Sequence, residues 1–184
     1  MSTALKPAPV QEIRAPIAGV EPGSIAEELG IVSGYRLLEI NGVVPEDLID
    51  YRLADAMDSV TLRMVSPEGE EYFFDVDKDP EERSGLGFEY EVFDGVRRCR
   101  NKCPFCFVDQ MPKGYRYTLY IYDDDYRLSF LGGHFVTLSN LSQRDLDRIV
   151  RLRLSPLNVS VHATEEGVRN KILGVRKGRD LLPT

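Results

Sequence analysis

All three cysteines of this chain lie within eight residues, as Cys99, Cys103 and Cys106 in the spacing C-x3-C-x2-C. Thiolates are strong ligands for zinc and for iron–sulfur clusters, and three of them on one short segment can reach one metal centre. Phe105 directly precedes the last cysteine, and basic residues flank the first two. The stretch therefore predicts a metal site that the rest of the chain must position.

Three kinds of chemistry fit these thiols. The segment 103–106 has the C-x2-C spacing of a dithiol redox motif, but Cys99 is then surplus. A zinc ion would take the three thiolates with His134 or His162 as a fourth ligand, although a second pair of knuckle cysteines is missing. A cubane iron–sulfur cluster normally takes four thiolates, so three would leave one iron open to a small molecule. We favour the cluster because it accounts for the number of cysteines.

The composition is that of a folded protein with one ordinary domain or two small ones, since 42% of the 184 residues are hydrophobic and 29% are charged. No apolar run approaches the roughly 18–20 residues that span a bilayer, and the N-terminus lacks the apolar core of a secretory signal. We therefore expect no membrane partner. An odd number of free thiols favours a cytoplasmic location.

Charge divides the chain into two halves. Residues 1–90 carry 7 Lys and Arg against 19 Asp and Glu, whereas residues 91–184 carry 16 against 11. The split indicates two units with different roles. The basic half would suit an anionic substrate, but charge alone does not identify a nucleic acid as partner, and we expect none.

The first half predicts a small β-rich domain over residues 15–80, preceded by a flexible lead-in over 1–14. Ser24 and Glu27 form the capping-box pattern of a short helix that begins at Ile25. The other predicted elements are a strand that ends at the Asn41-Gly42 turn, a helix over 46–56, and strands over 60–65 and 72–76.

Residues 20–26, 29–30 and 34–43 resemble a PDZ domain, although Tyr35 stands where such domains usually have aspartate. The resemblance implies a peptide or protein partner that adds a strand to the edge of a sheet. The segment 85–88, Gly-Leu-Gly-Phe, has the letters of the PDZ carboxylate-binding loop but follows the other strands. Either the domain is circularly permuted or the match is chance; we favour chance and interpret residues 81–94 as a linker.

The second half, residues 95–184, alternates strand and helix patterns, which is typical of a parallel sheet covered by helices. Ser142 is expected to cap an amphipathic helix, and a buried strand over 157–161 leads to His162. We predict that residues 126–138 form a buried strand or a loop with a close backbone approach. The preceding residues 123–125, Asp-Asp-Asp, are expected to form a solvated acidic loop.

The pattern C-x3-C-x-aromatic-C is similar to the signature of radical SAM enzymes. The longer sequence, over residues 17–175, is similar to a bacterial family that joins an N-terminal PDZ-like domain to a radical SAM core. The segments that carry this similarity are 98–107, 109–114, 123–130, 136–138 and 160–164.

The resemblance implies that Cys99, Cys103 and Cys106 hold a [4Fe–4S] cluster whose open iron chelates S-adenosylmethionine. An electron from a flavodoxin-type or ferredoxin-type donor would cleave this cofactor, and the 5′-deoxyadenosyl radical would abstract hydrogen from a substrate that the sequence does not identify.

Four further residues are implied in cofactor binding. Gly132 and Gly133 occupy a place comparable to the Gly-Gly-Glu-Pro segment of the family, but Glu and Pro are missing here. Ser160 and His162 follow a predicted strand, where functional groups of such barrels are usually found.

The fold class expected is therefore α/β, with a PDZ-like domain followed by the first part of a partial (β/α) barrel. A full eight-unit barrel takes ~250 residues, so we expect an incomplete core that binds the cluster poorly, exposes an unpaired sheet edge and is inactive alone. The alternative function is a PDZ-like binding module with a structural zinc or a vestigial metal site, without catalysis.

Overall fold

The computed structural model describes residues 15–175, so the predicted lead-in over 1–14 lies outside the described residues, as do residues 176–184. The chain divides into two compact units, of which the first ends at Gly95 and the second begins at Val96. Within residues 15–175, no helix combines the length and the apolar character that crossing a membrane requires.

The first unit is an antiparallel sheet of five strands with two helices. The strands, in the spatial order β4-β3-β2-β1-β5, are β1 (Ala15–Val20), β2 (Arg36–Ile40), β3 (Ser59–Val65), β4 (Glu71–Asp77) and β5 (Leu86–Phe88). The helices are α1 (Ile25–Glu28) and α2 (Leu48–Asp55). Alternate residues of β3, namely Val60, Leu62 and Met64, are buried in the core, as expected for a strand with one buried face.

Local signals in this unit confirm several predictions. The Ser24 hydroxyl accepts a hydrogen bond from the Glu27 amide and so begins α1, although the Glu27 carboxylate binds the amide of Gly23 instead of completing the box at Ser24. Asn41 and Gly42 have φ values of 52° and 72°, which is the left-handed conformation of a tight turn.

The segment predicted to be a linker, residues 81–94, belongs to this sheet. Its strand β5 pairs antiparallel with β1, with Gly87 opposite Gly19. A Cβ at Gly87 would lie 3.2 Å from the Gly19 carbonyl oxygen, so the close pairing favours glycine. Val92 is buried, and the Glu91 carbonyl accepts from the Leu48 amide at the start of α2. The first unit therefore continues to Gly95, because β5 pairs with β1, which lies far away in the sequence.

In its described residues, 96–175, the second unit has five helices, one of them a 3-10 helix, and one pair of parallel strands. Its elements are α3 (Phe107–Gln110), a 3-10 helix (Tyr117–Tyr120), α4 (Tyr126–Gly132), β6 (Phe135–Val136), α5 (Gln143–Leu152), β7 (Asn158–Val159) and α6 (Glu166–Leu173). Strands β6 and β7 pair in parallel, as the alternating pattern predicts. Ser142 caps α5 in a complete capping box with Asp145.

Helix α4 replaces the strand or loop predicted for the start of residues 126–138. The Asp125 carboxylate accepts from the Arg127 amide and caps the N-terminus of α4. Gly133, at φ 75°, ends the helix in the left-handed conformation that favours glycine. A short apolar run does not distinguish a strand from a buried helix. Here the N-cap at Asp125 and the C-cap at Gly133 favour the helix.

Asp125 and Arg127 form an ion pair in which both side chains are fully buried. Two hydrogen bonds join them, from Arg127 Nε to Asp125 Oδ1 at 2.9 Å and from Arg127 Nη2 to Asp125 Oδ2 at 2.7 Å. Burial raises the pKa of Asp125, but the bonds from Arg127 and from the Arg97 amide outweigh it and hold the pKa below its ordinary value. Asp125 is therefore a buried anion rather than part of a solvated loop.

Replacing Asp125 with alanine is expected to lower the free energy of unfolding by about 3–5 kcal/mol, because the Arg127 charge stays buried after losing this carboxylate. Urea unfolding monitored by tyrosine fluorescence and circular dichroism measures the change. Asp123→Ala is the matched control, since Asp123 is partly exposed and pairs with His134 at the surface, and it should cost less than about 1 kcal/mol. Equal losses in the two variants would contradict the prediction.

Candidate functional site

The cysteine loop, residues 98–106, lies at the carboxyl ends of β6 and β7. Asn101 in this loop donates from Nδ2 to Oγ1 of Thr137, the residue that follows β6, at 2.9 Å. The ring of Phe105 packs against the ring of His162, three residues after β7, with centroids 5.3 Å apart. This edge is where parallel α/β sheets usually bind their ligands.

Backbone hydrogen bonds fix the loop on both sides of Asn101. The Cys99 amide donates to the Tyr122 carbonyl at 3.0 Å, and the Lys102 amide donates to the Leu173 carbonyl at 2.8 Å. Just before the loop, the Arg97 guanidinium pairs with Asp145 and lies over the Tyr126 ring. The thiols are therefore presented by a segment with several fixed points.

A buried carboxylate lies behind this loop. Asp124 is 2% exposed and accepts from the Thr137 amide at 2.5 Å and from the Thr137 hydroxyl at 2.7 Å. Ser139 Oγ donates to Asn101 Oδ1 at 2.8 Å, which completes a chain of polar contacts. The sequence interpretation of residues 123–125 as solvated missed this role. The N-cap signal of an acidic residue directly before an apolar segment indicates Asp125, whereas the partners of Asp124 lie on other elements and leave no local signal.

Helix α6 closes the same edge. Arg169 is 2% exposed and donates to the carbonyls of Thr137 at 2.5 Å and of Val161 at 3.1 Å, so one guanidinium joins the segments that follow β6 and β7. The N-cap of α6 is Glu165, whose carboxylate accepts from the amides of Gly167 and Val168. Nothing in the local pattern distinguishes Arg169 from a surface arginine, so the sequence alone does not predict its burial.

The three thiols are free and half-buried. Burial raises the pKa of Cys99 and of Cys103, and the negative charges of Asp124 and of neighbouring thiolates add to the effect. Within residues 15–175, no group of three or more His, Cys, Asp or Glu side chains has the arrangement to hold a metal ion. A cubane cluster binds each thiolate at a different iron, so its ligands need not converge on one point. The donor set therefore fits a cluster with three cysteine ligands.

Two of the four predicted cofactor residues share the edge with the cysteine loop. The Ser160 amide donates to the Val136 carbonyl at 2.8 Å, which continues the parallel pairing, and the half-buried side chain follows β7. His162 is exposed, has φ 62° and contacts Phe105. The structure thus brings Ser160, His162 and the cysteine loop to one end of the strand pair.

Gly132 and Gly133 lie at the other end, at the C-terminus of α4 and before β6 begins. The Gly133 carbonyl accepts from Nδ2 of Asn158, the first residue of β7, at 3.0 Å. A Cβ at Gly132 would lie 3.3 Å from the His134 ring, and His134 Nδ1 binds Asp123 at 3.0 Å. The role of the two glycines in cofactor binding stays a prediction.

The first unit has a groove of about 570 Å³ between α2 and β5. The segment 85–88 lines one side of the groove. The other side is lined by residues that share one face of α2, namely Leu48, Tyr51, Arg52 and Asp55. The buried Asp55 carboxylate accepts from the amide and the hydroxyl of Ser84, which ties α2 to the residue before this segment. Burial raises the pKa of Tyr51 well above its ordinary value, so the phenol stays neutral.

Comparison with known proteins gives a family match that includes the second unit and begins within the first. Residues 78–184 match the family model described as a Radical SAM-like domain, which covers more than half of the chain. The match includes the cysteine loop and the residues that follow β6 and β7. A search of the curated proteins found no match to the chain.

Gly174→Ala is expected to destabilise the second unit more than Gly133→Ala. Both glycines end helices at positive φ, which costs a residue with a side chain about 1–2 kcal/mol. A Cβ at Gly174 would also lie 2.7 Å from the Lys102 carbonyl oxygen in the cysteine loop, whereas a Cβ at Gly133 meets only Asn158 Nδ2 at an ordinary 3.6 Å.

Urea unfolding of the two variants measures the difference, and the alkylation rate of Cys103 reports any displacement of the loop. Equal stabilities together with unchanged alkylation would show that the loop does not depend on the close approach at Gly174.

Proposed function

The chain belongs to the radical SAM-like family, and we propose that Cys99, Cys103 and Cys106 hold a [4Fe–4S] cluster that serves the reductive cleavage of S-adenosylmethionine. The observation that carries the proposal is the attachment of the cysteine loop to the carboxyl ends of two parallel strands, within the segment that matches the family. We further propose that the second unit forms the first part of a partial (β/α) barrel. The substrate is not assigned.

When bound, the cluster and S-adenosylmethionine would supply a one-electron cleavage and a carbon radical that abstracts hydrogen. The chain's own residues would bind and orient them. Ser160 would offer a hydroxyl and His162 an imidazole to polar groups of the cofactor, while Phe105 would limit access of water to the thiolates. Gly132 and Gly133 would contribute backbone groups only if the cofactor extends toward the start of β6.

An acidic electron donor suits the surface around the cysteine loop. Five exposed cations occur on this loop and shortly after α3, namely Arg98, Arg100, Lys102, Lys113 and Arg116. They favour a flavodoxin-type or ferredoxin-type partner, because complementary charge speeds association. The proposed location is the cytoplasm, where thiols stay reduced.

Anaerobic reconstitution with iron and sulfide is expected to give a brown, reducible protein whose electron paramagnetic resonance signal changes when S-adenosylmethionine is added. Iron and sulfide contents are expected below full occupancy, and they should fall to background in each of Cys99→Ser, Cys103→Ser and Cys106→Ser. Arg100→Ala, in the same loop and exposed, is the matched control. A colourless protein that retains zinc would instead support a structural metal site.

We propose a second function for the first unit, as a PDZ-like module that binds an extended peptide along β5. The supporting observation is that the segment 85–88 forms an edge strand beside α2, with the groove between them. An edge strand offers backbone groups to an added strand, and side chains of α2 would contact alternate residues of the peptide. This arrangement favours a PDZ-like unit with permuted strand order over a chance match of four letters.

Selection of ligands for the full chain from a library of peptides with free C-termini tests this function. Leu48→Ala is expected to lower the affinity for the selected peptides by about 10-fold, because Leu48 lines the groove. Leu53→Ala is the matched control on the same helix, since Leu53 is 52% exposed and does not line the groove. Fluorescence anisotropy measures both affinities, and equal weakening would contradict binding in this groove.

A further inference from the structure

We infer that Asn101 is a positioning residue that holds the cysteine loop in its ligand-binding shape. Asn101 lies between Cys99 and Cys103. Both the nitrogen and the oxygen of its side-chain amide form hydrogen bonds. Nδ2 donates to Thr137 Oγ1 at 2.9 Å, and Oδ1 accepts from Ser139 Oγ at 2.8 Å. The role of Asn101 in cluster binding rests on the proposed function. Its contacts with Thr137 and Ser139 are observed independently of that proposal.

The partners of Asn101 are themselves fixed by a buried charge. Asp124 accepts from the amide and hydroxyl of Thr137 and lies 3.3 Å from Ser139 Oγ, and its own amide donates to the Arg97 carbonyl at 3.0 Å. Because the Thr137 hydroxyl donates to Asp124, its oxygen is left to accept from Asn101. One carboxylate thereby determines the direction of the hydrogen bonds that reach the cysteine loop.

This arrangement requires an amide and not merely a polar residue. Aspartate has the size of asparagine but no donor for Thr137 Oγ1, and its charge would lie close to the buried Asp124. Alanine would remove both contacts and leave the segment between Cys99 and Cys103 attached by backbone bonds alone. Holding ligands in place before binding reduces the ordering that binding must impose, so loss of the amide should weaken cluster uptake.

The test compares Asn101→Ala and Asn101→Asp with Gln110→Ala, which removes an exposed amide shortly after the cysteine loop. In the metal-free protein, alkylation of Cys99 and Cys103 by iodoacetamide, followed by mass spectrometry, is expected to be about 10-fold faster in both Asn101 variants, the effect of roughly 1.4 kcal/mol of lost hydrogen bonding. Gln110→Ala should change these rates less than about 2-fold. Wild-type alkylation rates in Asn101→Ala would overturn the inference.

Thr137→Val keeps the shape of the side chain and removes the hydroxyl that Asn101 contacts. If Asn101 acts through Thr137, the effects of Asn101→Ala and Thr137→Val on alkylation should not add, whereas additive effects would refute this route. The valine variant also serves as the test if the alanine variant does not fold.

Reconstituted protein supplies a readout that loss of folded protein alone would not change. Asn101→Ala, which adds no charge, should shift the resonance line shape or the reduction potential of the cluster, while Gln110→Ala should leave both as in the wild type. An unchanged line shape and potential would refute a positioning role toward the cluster. If the wild-type chain acquires no cluster, the proposed function fails, and the alkylation rates still decide whether Asn101 holds the loop.

Discussion

The second unit depends on two buried carboxylates at the start of α4. Asp125 binds Arg127 and the amide of Arg97, and Asp124 binds Thr137 after β6. Burying an ionised carboxylate costs several kcal/mol unless charge-assisted hydrogen bonds offset the lost hydration. Both groups have such partners, so the start of α4, the approach to the cysteine loop and the end of β6 must fold together.

This constraint explains how a very short sheet can support a site. Strands β6 and β7 have two residues each, which is too little pairing to fix their surroundings. Side chains supply the missing order, because Arg169 joins the carbonyls that follow both strands and Asn101 joins the cysteine loop to Thr137. The site is therefore built from polar contacts around the strand ends, and its geometry is sensitive to single side chains.

The sequence predicts those features that local chemistry determines. Ser24 and Ser142 cap their helices, and Asn41-Gly42 forms a turn, because each signal acts within a few residues. The pairing of β5 with β1 was missed, since partners far apart in the chain leave no mark on the linker-like composition of residues 81–94. The burial of Asp124 and Arg169 was missed for the same reason. Their partners lie on other elements, which no periodicity indicates.

The direction of the strands places the predicted cofactor residues in two groups, at opposite ends of the strand pair. Similarity to family motifs did not distinguish these groups. Ser160 and His162 follow β7, on the edge that holds the thiols, whereas Gly132 and Gly133 end α4 before β6 begins. The local structure accounts for Gly133, which has positive φ at a helix end and whose carbonyl accepts from Asn158 Nδ2. Gly174 had no place in any motif, yet a Cβ at this position would lie 2.7 Å from the Lys102 carbonyl oxygen of the cysteine loop. In this fold, residues lie at the site because they follow a strand or because their backbone packs closely against the cysteine loop. A pair of glycines in the sequence indicates neither kind of position.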